Sequence, residues 1–346
     1  MKRWPSLLEK PTARGRIREQ VEDFVVQEIP AYDPCGEGKH LFIEVEKTGL
    51  TSDQVVAALA TQLNISERDI GMAGIKDRWA ITRQWFSLPA QAEDVLDKFQ
   101  LEGVRILSRK AHGNKLKTGH LNGNTFQIRV RGLDHDSRKD IEDRVAKILR
   151  LGIPNYFGTQ RFGSRGDNEN LGKLILDGRG PRLSRRRLRL VLNAVQSALF
   201  NDVLAQRIQG QSFNLALAGD LMIKTESGGR FVCEDPSIDQ ARMDAHEIHP
   251  SGPMFGPRMR RPEGQVDEQE QSILEASGLD DASWRRFAKL TQGTRRALRI
   301  GLGRLDTEWT EGDLILRFDL PPGSYATVVL QELLVLEEPT KSAPPD

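Results

Sequence analysis

Cysteine is scarce: Cys35 and Cys233 are the only two in 346 residues. They have no motif spacing, so neither a disulfide framework nor a cysteine-built metal site is legible. Two reduced thiols are expected. Long apolar runs are missing too. None approaches the roughly 20 residues that span a bilayer, and the start, MKRWPSLLEKPTARG, is basic without an apolar core. The reading is no secretory signal, no membrane contact and a cytoplasmic protein. Charge of one sign is also lacking: 50 Lys and Arg face 49 Asp and Glu, leaving a net +1. That excludes a uniform polycation. There is no phosphate loop, no dinucleotide fingerprint, and no nucleophile elbow with a Ser-His-Asp or Cys-His set. Internal repeats are absent as well.

What is present is an ordinary globular composition, 38% hydrophobic and 29% charged. A core of useful size needs no disulfide or metal staple, and the length suits two domains. The near-zero net charge hides a segregation. Arg179, Arg182, Arg185, Arg186, Arg187 and Arg189 lie close together. Arg105, Arg109, Lys110, Lys115 and Lys117 form a second basic stretch around His112. Smaller groups are Arg14, Arg16 and Arg18; Arg258, Arg260 and Arg261; and Arg295, Arg296 and Arg299. Any one of these is ordinarily a solvated helix face. Together they point to a nucleic-acid surface.

Apolar periodicity orders the chain. Residues 14–30 read as strand, turn and strand, and 40–47 as a strand with Leu41, Ile43 and Val45 on one face. Thr51 or Ser52 caps a helix to about 63. Further strands are expected at 82–88, 103–109 and 125–130, and helices at 95–99 and 136–149. A long helix is expected over 184–208, with Gly210 beyond its end. Residues 211–265 read as loop-rich and 267–300 as mostly helical. Strand alternation returns at 313–320, a turn follows at 321–323, and a last helix runs over 324–336. The polar tail, 338–346, is expected to fray. The first part lacks regular β-α-β alternation, so the fold class is α+β with a mostly antiparallel sheet. The late return of strand character indicates an insertion. The division is 1–152 plus 305–346 around an inserted, largely helical 153–304.

The candidate chemistry centres on 71–88, GMAGIKDRWAITRQWFSL. Glycines permit tight backbone and the close approach of something large. Asp77 follows them as a lone acid. By spacing alone it is a turn or cap residue as readily as a catalytic one. Phe24, Phe126 and Phe157 are by the same standard core aromatics, and Asn124 belongs to an Asn-Gly-Asn turn. His246 and His249 are three apart with Cys233 upstream, too few ligands for a zinc site. No metal is expected.

Taken together, the segments resemble the TruD class of tRNA pseudouridine synthases. GIKDRWAITRQ at 74–84 matches G-x-K-D-x-x-A-x-T-x-Q, and PNYFGTQRFG at 154–163 and SALFN at 197–201 match further signatures. GEGKHLFIEVEKTG, LNGNTF and LPPGSYATVVLQEL follow the family in the right order. The resemblance implies a pseudouridine synthase core interrupted by a TRUD-type domain. It implies an isomerase acting on a uridine of tRNA, position 13 in bacterial relatives, without a cofactor. Asp77 falls at the catalytic carboxylate. Arg18 falls at its basic partner, where relatives carry lysine, with Phe24 six residues on. Phe126 falls at the aromatic that stacks on the base, with Asn124 on the same side of its strand. Lys76 is expected to contact phosphate or loop backbone, and Gln84 to brace the loop. tRNA is the one partner implied, and a monomer is expected. The alternatives are a catalytically silent RNA-binding protein of this fold, or a metal-dependent RNA hydrolase using His246 and His249.

Overall fold

Alternating apolar segments at the start of the chain pair into one sheet in the computed structural model, which describes residues 4–134, 136–163 and 165–337. The basic start 1–3, Ser164 of the polar 164–168 segment and the tail 338–346, with its expected fraying, lie outside the described residues. Contacts divide the chain into two units. One holds 12–141, 303–323 and the residues from 334; the other holds 4–11, 142–302 and 324–333.

The first unit is a ten-stranded sheet with helices. Along its main path the strands run Leu305–Thr310, Asp313–Leu320, Leu121–Arg131, Phe24–Pro30, Ile81–Pro89, His40–Thr48 and Val104–His112. Phe24–Pro30 lies parallel to Ile81–Pro89, and Arg14–Arg16 lies parallel to Val335–Glu337. The other pairings are antiparallel. This is the mixed, mostly antiparallel α+β arrangement that the alternation indicated. The helix Ser52–Gln62 starts at Thr51 in a capping box closed by Gln54. Its Val55 and Leu59 pack on Leu41, Ile43 and Val45 and on Phe86 and Leu88. Each such side chain contributes about 1.5–3 kcal/mol when fully buried. That core fixes one face of the strands from which the 73–80 loop is braced.

The second unit is built around the helix Arg185–Gln209, capped by Ser184 and ending at Gly210. Val191, Val195 and Leu199 bury one side of it against Ile175, Phe255 and Trp284. Residues 211–265 are more regular than their sequence indicates. Leu221–Lys224, Arg230–Val232 and Ile248–Met254 are strands, and Pro236–Asp244 is a helix. With Thr294–Ala297 the three strands form a four-stranded antiparallel sheet. The reading of 267–300 as helical therefore holds only for Gly264–Ala276 and Asp281–Arg285. The physical reason is visible in IHPSGPM. All seven residues are buried, so no polar face alternates, and two prolines read as breakers. The last helix is shorter than expected, Ala326–Leu333, because Val335–Glu337 leaves it to pair with Arg14–Arg16.

Candidate active site

Residues 73–80 form an irregular loop between the short strand Gly71–Met72 and the strand Ile81–Pro89. Gly71 is required by the protein itself. A Cβ there would lie 2.2 Å from the Leu116 carbonyl oxygen and 2.5 Å from Ser87 Oγ. Its smallness thus serves internal packing rather than the approach of a ligand. Gly74 is tied down by Gln84, whose Nε2 donates to the Gly74 carbonyl at 3.3 Å. Gln84 Oε1 accepts from Ser52 Oγ at 2.7 Å, and Ser52 Oγ in turn accepts from Lys76 N at 3.1 Å. Ser52 and Gln84 are both fully buried, so these bonds form where water does not compete.

Lys47 holds the loop from below. It is fully buried, and Nζ donates to the Leu50 carbonyl at 2.6 Å and to the Asp77 carbonyl at 2.8 Å. Burial pushes its ammonium down to about 8, while the Asp77 charge pulls the other way.

With its backbone fixed, Asp77 turns its side chain outward, 42% exposed. Arg18 Nη2 meets Asp77 Oδ2 at 2.7 Å. The same guanidinium lies over the Phe24 ring, 4.2 Å from its centroid, and Trp79 Nε1 donates to the Arg18 carbonyl at 3.1 Å. Between loop and sheet stands Lys76. Its Nζ donates to Glu28 Oε2 and to Asn124 Oδ1, each at 2.8 Å, and both Lys76 and Glu28 are buried. Both hydrogen bonds of Lys76 Nζ go to side chains rather than to loop carbonyls. The strand Leu121–Arg131 places Asn124 opposite Glu28 and Phe126 opposite Val26. Phe126 is 8% exposed, stacked on Phe318 at 5.5 Å and edge-on to Phe24 at 6.1 Å. Beside Asp77, Ile75 stands 73% exposed.

The structure therefore brings Arg18, Phe24, Lys76, Asp77, Gln84, Asn124 and Phe126 into one connected set within the first unit. Sequence reading passed over Glu28, Lys47 and Ser52. The signal for two of them was parity. Glu28 falls on the inward row of Phe24 and Val26, and Lys47 on the row of Leu41, Ile43 and Val45. A charge on a buried row needs a partner.

The histidine pair stands in the other unit. His246 Nε2 contacts the Leu149 carbonyl at 3.2 Å and Nδ1 contacts Arg299 Nη2 at 3.1 Å, so both ring nitrogens are engaged. Burial, followed by the Arg299 charge, pushes His249 down to about 3. Among the described residues no group of three or more His, Cys, Asp or Glu is placed to hold a metal.

Known proteins match the chain along nearly its whole length. The model of the family described as tRNA pseudouridine synthase D (TruD) matches residues 6–182 and 181–333. The chain is 43% identical over 331 residues to tRNA pseudouridine synthase D of Anaeromyxobacter dehalogenans strain 2CP-C, covering 93% of this chain and 94% of that one. It is 39% identical over 338 residues to a protein of the same name from Thermus thermophilus, covering 97% and 93%. A crystallised Methanosarcina mazei protein with the TruD designation shares the fold, with a TM-score of 0.78 at 23% identity over 95% of both chains. An ion-paired aspartate on a braced loop, a mixed sheet behind it and a match of this extent lead to one assignment: the chain belongs to the tRNA pseudouridine synthase D (TruD) family.

Proposed function

We propose that this chain isomerises a uridine of tRNA, at position 13, to pseudouridine, with Asp77 as the catalytic carboxylate. The observation that carries the reading is the state of Asp77. Its backbone is anchored by buried Lys47, while its carboxylate is partly exposed and oriented by Arg18. The reaction breaks the bond between C1′ and N1, turns the detached uracil, and joins C1′ to C5. N1 gains a proton and C5 loses one. A carboxylate poised at the sugar–base junction drives the cleavage, and Arg18 fixes its direction. Asn124 offers hydrogen-bonding capacity beside the base. Phe126 supplies an aromatic edge to the pocket that receives it, and Phe24 carries the Arg18 guanidinium. Lys76 couples the loop to the Asn124 strand, and Gln84 keeps the loop rigid. A uridine inside folded tRNA must leave its stack at a cost of about a few kcal/mol, which phosphate contacts elsewhere on the protein offset. Residues 1–152 with 305–346 act as the catalytic domain, and 153–304 as the inserted one. The protein works as a monomer in the cytoplasm on tRNA alone, and the isomerisation, being redox-neutral without a group donor, calls for no cofactor.

The test is Asp77→Asn. Pseudouridine, mapped by carbodiimide adduct and primer extension on tRNA, should disappear, while filter binding of the same tRNA stays within about threefold of wild type. Turnover near the wild-type level would overturn the assignment of Asp77.

A further inference from the structure

The basic clusters look equivalent in the sequence, but the fold commits them very differently. Arg14 and Arg16 face Glu337, and Arg16 also faces Glu19; Arg18 faces Asp77. Arg105 and Arg109 are paired with Glu46 and Asp97, and Arg261 with Asp267 and Asp281. Arg295 is buried against Glu270, and Arg299 is buried and donates to the Leu151 and Met243 carbonyls. Lys110, Lys117, Arg258 and Arg260 are exposed without a carboxylate partner among the described residues, and the cluster at 179–189 holds the largest such group. Arg179 meets Asp177, but Arg182, Arg185, Arg186, Arg187 and Arg189 are exposed and have no carboxylate partner among the described residues.

Their placement opposes helix stability. Arg185, Arg186 and Arg187 open the helix Arg185–Gln209, whose first turn contains no acid. The amino end of a helix carries the positive end of its dipole, so cations there are unfavourable. Arg185 and Arg189 are also four apart, a spacing at which like charges repel. A second observation lies beside them. Arg187 shares a concavity with Gly163, Arg165, Asp167 and Asn168. Asn168 is 2% exposed, and its Oδ1 has no hydrogen-bond partner. Guanidinium donors next to an unused oxygen acceptor complement a ribose 2′-hydroxyl and its phosphate.

We propose that the first turns of the helix Arg185–Gln209, with Arg182 and Arg165, form a docking surface for the RNA sugar–phosphate backbone. The proposal rests on the RNA-modifying reading above and names the surface that reading leaves open. These arginines then remain uncompensated in the free protein because the ligand supplies the anions.

The test is the triple variant Arg185→Gln/Arg186→Gln/Arg187→Gln, with the ion-paired Arg105→Gln/Arg109→Gln as control. Filter binding of tRNA across a KCl series should show Kd raised on the order of tenfold at low salt, and a log–log salt slope shallower by about 2. In the pseudouridine assay KM for tRNA should rise more than kcat falls. Tm at low ionic strength should be unchanged or higher, because a repulsive cluster has been neutralised. Unchanged Kd and salt slope in a variant whose wild type is active would overturn the surface while leaving the catalytic reading intact. An equal loss in the control, or a Tm lowered by several degrees, would also overturn it. If wild type forms no pseudouridine, the catalytic reading fails, and the Kd comparison still decides the surface.

Discussion

At Arg18 the backbone is held at φ +61°, where residues other than glycine are uncommon. Trp79 on its carbonyl and Asp77 on its guanidinium hold it there. The Arg18–Asp77 pair is 23% and 42% exposed, so it adds little to stability, about 0–1 kcal/mol. Its value is in orientation. Arg18→Met should therefore lower kcat on the order of 10²-fold with Tm nearly unchanged, and Arg18→Lys should recover part of the loss. Single-turnover kinetics beside thermal unfolding checks this, and a large Tm drop with intact kcat would argue for a structural role. Lys47 gives a pH-dependent prediction. Burial lowers its folded value to about 8 from 10.5. Between those values the unfolded chain binds more protons, so the burial penalty is relieved, and stability rises, as pH goes from about 8 to 10.5. Below about pH 8 the penalty is present in full. Urea unfolding of Lys47→Met against wild type should show this rising increment in wild type alone. A parallel pair of pH profiles would contradict it.

At the scale of elements, PNYFGTQRFG pairs with Arg299 at Pro154 and is held beyond that point by a helix. Asn201 on the helix Arg185–Gln209 accepts from Phe157 N at 2.9 Å and donates to the Phe157 carbonyl at 3.0 Å. The Phe157 ring packs edge-on to Phe200, and the Arg296 guanidinium lies 4.2 Å from its centroid. Asn201→Ala would leave both Phe157 backbone groups buried and unpaired, at about 1–3 kcal/mol each. A loss of roughly 2–4 kcal/mol in denaturant unfolding is expected, and a change below about 0.5 kcal/mol would show that the segment finds other partners. The signatures 154–163 and 197–201 were legible as separate motifs. That they are two halves of one hydrogen-bonded clasp was not, because neither spacing nor periodicity encodes a contact across 44 residues.

For the whole molecule, a net charge of +1 gives no general attraction to a polyanion. Affinity for tRNA must come from local surfaces, and local phosphate contacts release counterions. Log Kd should therefore rise linearly and steeply with log salt despite the near-neutral balance. A flat response in filter binding would remove the electrostatic account of RNA recognition.

The sequence by itself determined most strands of the first unit's sheet and the long helix, and it named the candidate site residues. Strand parity and helix spacing are local, and the motifs around Asp77, Asn124 and Phe126 are contiguous in the chain. The prolines and fully buried strand at 248–254 erased the local signal there, and only pairing with 221–224 and 294–297 revealed the second sheet. Tertiary structure alone decided which charges are spent. Lys76 and Lys47 turn inward to Glu28, Asn124 and the Asp77 carbonyl, and most basic clusters meet acids distant in sequence. Whether a cation is free depends on partners brought close by folding, and such partners leave no periodic trace in the chain.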